Sequence, residues 1–489
     1  MSAAEVTEQH PRRWIALGVI AISQLMVVLD ATIVNIALPS AQADLGITDA
    51  DRQWVITAYT LAFGGLLLLG GRIADYWGRK RTFLVGAAGF AAASAIGGLA
   101  QNGELLFAAR ALQGAFGALL APASLALLTV LFTEARERAK AFAVYGAIAG
   151  GGSAVGLLLG GVLTEYANWR WCLLVNIPIA LIALFLAIPL VPESRADGDT
   201  KYDIPGAIVI TLGLTSLVYG FTEAAEPENG WGAPSTLGFI GAGILLIALF
   251  VVIEQRSKNP LLPLRVLLDR NRGGAFLASM LVGAGLFGAF LFLTLYLQNV
   301  LGYKPLEAGF ASLPVTVGVL IAATVASNLM PRIGPKPLMV LGPVLAAAGM
   351  ISLRWIDLDT SFWAHLMPAQ VLLGLGLGFT FVPLSSLALV GVPERDAGAA
   401  SATLNATQQI GGSLGTALLN TIATSAITAY LAANLPANQQ TPLLAQVDGY
   451  ADAFTWAAVI ILVAAVVTAV LVKVHKEDLP AGDTMAHVG

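Results

Sequence analysis

Residues 14–38 read WIALGVIAISQLMVVLDATIVNIAL, an apolar run long enough to cross a hydrocarbon core of ~30 Å as a single helix. The run is continuous and does not alternate, the pattern of a membrane helix and not of a barrel strand. It is too long for the core of a signal peptide and contains Asp30 and Asn35. No small-residue cleavage site follows a short apolar core, so the run is retained as a first span.

Thirteen further runs of this kind follow, near 54–73, 82–100, 105–131, 141–164, 171–191, 204–222, 236–253, 273–299, 308–330, 338–353, 362–390, 397–429 and 454–474. The expected fold class is an all-α membrane protein of fourteen transmembrane helices. Composition agrees, since the 489 residues are 57% hydrophobic and 11% charged, whereas soluble domains are about a quarter charged. Runs 105–131 and 397–429 exceed one bilayer and are expected to continue outside it. Cys172 is the only cysteine, which excludes a disulfide scaffold, and a net charge of −4 gives no reason to expect nucleic acid as a partner.

Charge placement orients the chain. By this count 21 of the 26 Lys and Arg residues fall on the side of the termini. Arg52, Arg170, Lys304 and Arg354 fall on the other side, and Arg110 lies inside a span. The positive-inside rule then puts both termini in the cytoplasm of a multi-pass membrane protein. The charged segments 192–203 and 254–272 bracket spans seven and eight and suggest a 6 + 2 + 6 plan. The expected units are a six-helix bundle in 1–200, two additional helices in 201–260, and a second six-helix bundle with a cytoplasmic tail in 261–489. A faint echo supports the repeat, because 78–86 read GRKRTFLVG and 334–342 read GPKPLMVLG. Parallel six-span repeats are a transporter plan.

Of the 30 Asp and Glu residues, Asp30 alone falls well inside a span. It lies roughly 12 Å from the outer end of span one, and Arg110 lies roughly 9 Å from the outer end of span four, at about 1.5 Å per residue. A charge in hydrocarbon costs at least ~2.5–3.5 kcal/mol, so it persists by pairing, by lining water or by protonation. Burial disfavours the charged carboxylate and a nearby cation favours it. One reading is therefore a static ion pair that locks the two spans. The other is proton coupling, with Asp30 binding and releasing the proton and Arg110 setting its affinity. Gln113, one turn from Arg110, is placed in the same cavity. Asn35, Gln113 and Gln298 belong to a set of buried polar groups that includes Gln24, Asn176, Asn299, Asn328, Gln370, Asn405, Gln408 and Gln409. Most of these are expected to be interhelical hydrogen bonders worth about 0.6 kcal/mol each. His365 is expected at the surface.

Enzyme motifs fail on context. No Gly-Lys dipeptide occurs, so there is no Walker A loop. Gly283, Gly285 and Gly288 match GxGxxG within an apolar helix, and Gly411, Ser413 and Gly415 match GxSxG within a span. No His/Cys cluster has metal spacing. No catalytic residue, metal or cofactor is expected, with a proton gradient as the energy source. In span five Gly152, Gly156 and Gly160 recur every four residues and make one smooth face for close packing or sliding. The turn GGRIADYWGRKR at 70–81 sets Asp75 among Arg72, Arg79, Lys80 and Arg81, either as positive-inside charge or as a charge latch.

These segments resemble the major facilitator superfamily, and within it the fourteen-span drug:proton antiporter branch. Gly71, Asp75, Gly78, Arg79 and Lys80 match the family motif between spans two and three, with Tyr76 where a basic residue is usual. LFAARALQGAFG at 106–117 resembles the span-four motif, and LDATIVNIALP at 29–39 resembles the branch signature in span one. Residues 54–61, 169–178 (WRWCLLVNIP), 295–302 (LYLQNVLG) and 401–415 (SATLNATQQIGGSLG) also look typical. The span-five motif resembles GPxxGG but reads Gly156-Leu157-Leu158-Leu159-Gly160-Gly161, with leucine in place of proline.

The resemblance implies two bundles rocking about a central cavity. It implies an inner gate at Gly71, Asp75, Gly78, Arg79 and Lys80, and proton coupling at Asp30 and Arg110. The expected activity is export of amphipathic small molecules in exchange for protons, with membrane lipids as surroundings. Asn35, Tyr59, Gln113, Phe290, Tyr296 and Gln298 are the candidate substrate contacts. A proton symporter, a dedicated lipid or metabolite exporter and a non-transporting receptor are the alternatives.

Overall fold

The computed structural model describes residues 12–474 apart from 133, 196–202, 227, 258–259, 262–266, 390–393 and 436–437. The tail from 475 onward, with His475 and His487, lies outside the described residues, as do parts of the charged segments 192–203 and 254–272. Every regular element described is a helix. They are α1 (Arg13–Leu45), α2 (Trp54–Trp77), α3 (Arg79–Gly98), α4 (Gly103–Leu131), α5 (Ala135–Tyr166), α6 (Trp171–Leu174), α7 (Asn176–Leu190), α8 (Ile204–Ala225) and α9 (Pro234–Arg256). After these come α10 (Arg270–Leu295), α11 (Pro305–Ala311), α12 (Leu313–Ile333), α13 (Pro335–Ser352), α14 (Met367–Leu389), α15 (Glu394–Ala433) and α16 (Thr441–Leu471).

A helix, or two in succession, lies over each predicted run. Twelve of these segments are long and apolar enough to cross a membrane. The remaining two are α3, which opens on Arg79-Lys80-Arg81 and is rich in Ala and Gly, and α5, whose first turns are charged. Two predicted spans are broken. α6 gives way to α7 at Val175, and α11 gives way to α12 at Ser312. Pro178 and Pro314 lack the N–H that would bond back to Leu174 and Phe310, which explains both breaks. α16 begins well ahead of residue 454 because helix continues through Asp448 and Asp452, where apolarity stops. Helix α15, at 40 residues, is about 60 Å long and extends past any bilayer core.

α1 to α7 pack on one another and α10 to α16 repeat the scheme. α1 lies on α5 and α7 as α10 lies on α15 and α16, and α4 bridges α2 and α3 as α14 bridges α12 and α13. The sequence echo marks this repeat in the backbone. Gly78 and Gly334 both hold positive φ, +128° and +82°, at helix–helix turns that a residue with a Cβ enters only with strain. The helix pair α8–α9 lies outside both groups, with α8 against α2 and α15. Large apolar side chains such as Phe185 and Leu245 point outward at 81% and 71% exposure, as lipid-facing residues do.

Hydrogen bonds between described residues of the two groups gather at the end away from the termini. Gln298 Nε2 donates to the Ile36 carbonyl at 2.9 Å, and Asn420 Nδ2 donates to the carbonyls of Asp49 and Ala50 at 2.9 and 3.1 Å. The Leu306 N–H donates to Glu165 Oε2 at 3.2 Å. A core cluster of buried apolar residues also joins Ile33–Ala41 to Phe292, Leu297 and Tyr450 there.

Candidate functional site

Asp30 sits in the middle of α1 with no solvent exposure. Three side chains converge on it from two other helices. Arg110 Nη1 donates to Asp30 Oδ2 at 2.5 Å. Gln113 Nε2 and Asn176 Nδ2 both donate to Asp30 Oδ1 at 2.8 Å. Arg110 and Gln113 are three apart in α4 and so share a face, which lets Arg110 Nη1 also donate to Gln113 Oε1 at 2.9 Å. Ser94 of α3 closes the set by accepting from Gln113 at 2.7 Å and from Asn176 at 3.3 Å. Every neighbour donates to Asp30, which is the pattern an ionised carboxylate requires.

Arg110 is held on its other sides as well. Its Nε donates to the Val55 carbonyl of α2 at 2.9 Å, and its guanidinium carbon lies 4.4 Å from the Tyr59 ring centre. α1, α2, α3, α4 and α7 all contribute to one buried polar cluster. A narrow apolar cavity of about 10 Å³ reaches Arg110 from the side of Val34, Ala41, Leu106, Trp169 and Cys172. That volume suits one water at most.

The segment WRWCLLVNIP grips α1 at two points. Asn176 holds Asp30, while Trp169 Nε1 and Arg170 Nη1 donate to Asp44 Oδ2 at 3.0 and 2.5 Å. Sequence reading placed Asn176 among the interhelical hydrogen bonders and gave it no role at Asp30. Ser94 gave no signal, because a lone serine in a span most often bonds its own helix.

The glycine face of α5 lies directly on α1. A Cβ at Gly152 would meet Val28 at 3.0 Å, one at Gly156 would meet Thr32 Oγ1, and one at Gly160 would meet Ile33 at 2.9 Å. Gly161 faces across the molecule, where a Cβ would lie 2.6 Å from Leu306 of α11. Gly309 of α11 reciprocates against the carbonyl of Leu157. α15 repeats the device on α10, where Gly411 and Gly415 meet the backbones of Met280 and Ala284.

The stretch 70–81 is the end of α2, the turn at Gly78 and the start of α3, and it bonds mainly within the first helix group, while Arg72 Nη2 donates to the Pro260 carbonyl at 3.3 Å. Arg79 donates to Asp75 Oδ1 at 3.0 and 3.3 Å, and Lys80 Nζ donates to the Ile188 carbonyl at 2.6 Å. Glu193, which sequence reading did not single out, caps α3 by accepting from the N–H groups of Lys80 and Arg81 at 3.1 and 3.2 Å. Gly78 makes room for this cap, since a Cβ there would meet the Glu193 carboxylate at 2.7 Å. Gly71 faces Pro122 of α4 at van der Waals distance.

The six candidate substrate contacts do not come together. Tyr59 and Gln113 belong to the Asp30 cluster. Asn35 bonds the carbonyl of Ala31 in its own helix at 3.2 Å, and Phe290 packs against the apolar core that both groups share. Tyr296 bonds the carbonyl of Asp357, and Gln298 joins the two groups at Ile36. Asn328 and Asn405 face outward and bond their own helices. His365 is half-buried on the Ser352 carbonyl at 2.7 Å. Among the described residues no group of His, Cys, Asp and Glu has the arrangement of a metal site.

Residues 20–416 match the family described as Major Facilitator Superfamily. The chain is 50% identical over 475 residues to puromycin resistance protein pur8 of Streptomyces alboniger, covering 96% of this chain and 93% of that protein. It is 39% identical over 472 residues to cephamycin export protein CmcT of Amycolatopsis lactamdurans, covering 95% and 94%. Among solved structures, a bacterial homologue of the human lysosomal transporter Spinster, inward-facing and unoccupied, superposes with a TM-score of 0.66 at 15% identity over 96% of this chain and 99% of that one.

Proposed function

The chain belongs to the Major Facilitator Superfamily, and we propose that it exports amphipathic, antibiotic-like small molecules from a bacterial cell in exchange for protons. It is a transporter and not an enzyme. The substrate class is supported by the names of its relatives, which denote resistance to puromycin and export of cephamycin. The proposed organisation is fourteen spans, with bundles in 1–200 and 261–489 and two additional helices in 201–260. Both termini lie in the cytoplasm of the inner membrane, as the Lys and Arg asymmetry supports. The end joined by Gln298 and Asn420 then faces outward.

The observation that carries the reading is the Asp30 cluster: a carboxylate with no solvent exposure, bound to Arg110 at 2.5 Å. In the proposed cycle Asp30 takes a proton when the outer mouth is open and releases it inward. Protonation removes one charge of the pair, so the attraction that holds α1 to α4 collapses and the helices separate. Arg110 then stabilises the charged form when the proton leaves. The stretch 70–81 is the inner gate, and the glycine face of α5 is the surface on which α1 moves. A membrane potential adds ~2.3 kcal/mol per charge per 100 mV to drive export.

The experiment is flux in proteoliposomes under an imposed pH gradient, with lipophilic cations and uncharged drugs, for wild type and Asp30→Asn. Gradient-driven flux that vanishes in the variant is expected. Equal flux in the variant would remove Asp30 from coupling, and binding without flux of any compound would favour a receptor. Leu157, at the position where antiporters carry proline, favours proton symport as the second reading, and the direction of flux separates the two.

A further inference from the structure

The loop between α1 and α2 is a folded unit. Gly46 ends α1 in the left-handed conformation, Thr48 and Asp51 bond each other at 2.9 and 3.0 Å, and Asp49 accepts from Gln42 at 2.7 Å. Arg52 leaves this unit and enters the second helix group, where it is 1% exposed. Its guanidinium lies between Phe292 of α10 and Tyr450 of α16, 5.9 and 5.8 Å from the ring centres. Its Nε donates to Asn420 Oδ1 of α15 at 3.1 Å, and its Nη1 returns to Asp49 at 2.9 Å. Asn420 in turn holds the Asp49 and Ala50 carbonyls. A cation of one group is thus buried inside the other.

We propose that Arg52 is the latch of the outer mouth and sets how readily it opens. This rests on the reading that the two groups rock apart at this end. The seat is attractive, since a desolvated guanidinium between two aromatic rings gains cation–π attraction. It is also a two-sided grip, since Arg52 bonds Asn420 of the second group while it holds Asp49 of its own loop. The helix α8 is tied to the same point, because Gln53 donates to Thr222 at 2.6 Å and Thr421 donates to the Phe221 carbonyl at 2.6 Å.

The test places spin labels on Gln101→Cys and Asp359→Cys, exposed positions on the two groups at this end, with native Cys172 buried. Distance distributions are read for wild type, Arg52→Ala and Arg52→Met, and melting curves establish folding. Arg52→Ala is expected to raise the ratio of open to closed by about tenfold. Arg52→Met fills the seat but loses the cation–π attraction and the bond to Asn420, and is expected to open the mouth less than Arg52→Ala does. Should Arg52→Ala fail to fold, Asn420→Ala removes the other side of the contact and is expected to open the mouth. A folded Arg52→Ala or Asn420→Ala with the wild-type distribution, or an equal shift in Arg52→Ala and Arg52→Met, overturns the latch. A wild type that carries no flux while Arg52→Ala still widens the mouth would sink the transport reading and leave the latch standing.

Discussion

Arg110 and Asp30, 80 residues apart in the chain, meet at 2.5 Å, both buried, at 2% and 0% exposure. An ion pair so placed is costly to break by removing one partner and cheap to replace whole. Asp30→Met leaves Arg110 as an uncompensated buried cation, a loss of about 3–5 kcal/mol. The double replacement Asp30→Met/Arg110→Met is expected to recover most of the melting temperature while carrying no gradient-driven flux. A double variant as unstable as the single one would argue against the pair as read here.

Gln113 and Asn176 differ in how much they hold. Gln113 bonds Asp30, Arg110 and Ser94, while Asn176 bonds Asp30 and Ser94. Interhelical hydrogen bonds average about 0.6 kcal/mol and reach about 1.7 kcal/mol. Gln113→Leu should therefore lower the melting temperature and flux more than Asn176→Leu, and purified variants compared side by side decide it.

Steric contrast along α5 gives a third expectation. A Cβ at Gly156 runs into Thr32 Oγ1, whereas one at Gly151 meets nothing within 4 Å. Thr32 cannot turn away cheaply, because its hydroxyl donates to the carbonyls of Val28 and Leu29. Gly156→Ala is expected to lower stability and slow flux, with partial rescue by Thr32→Ala. Gly151→Ala should be neutral or stabilise by up to about 1 kcal/mol, since alanine is the better helix former.

At the start of α3, Glu193 works as a remote cap. Glu193→Ala should cost about 0.5–2 kcal/mol, the range for a lost helix cap. Gly78→Ala should cost more, because it adds left-handed strain of about 1–2 kcal/mol to a collision with that same carboxylate. Thermal melts of the two variants in one detergent rank them, and the reverse order would refute this account of Gly78.

Helices were legible because membrane spans announce themselves by length and apolarity, and α3 and α5 emerged from the same runs despite their charged starts. Asp30 and Arg110 stood out as the two charges deep within spans. Among their partners Gln113 was legible one turn from Arg110, and the rest were not. Asn176 reaches Asp30 from α7 and Ser94 of α3 accepts from Asn176 and Gln113, and no local pattern reports which faces of two helices meet. Arg52 was hidden for a different reason, since a cation in a short loop reads as solvated and nothing nearby in sequence reveals the aromatic seat formed 240 and more residues later. Aromatic and amide residues in a span fit a cavity and a packed interface equally well. That is why Tyr296 and Gln298, named as substrate contacts, stand where the two groups are joined.

The complete burial of Asp30 bears on energy conservation in the cell. A titratable group in touch with water on both faces of a membrane would be a wire, and the gradient would drain through it whether or not cargo moved. In this conformation Asp30 has no solvent exposure, and the narrow apolar cavity nearby reaches its partner Arg110, not Asp30 itself. If Asp30 couples protons as proposed, the protein at rest is insulated, and a proton crosses only as a passenger of the helix movement itself.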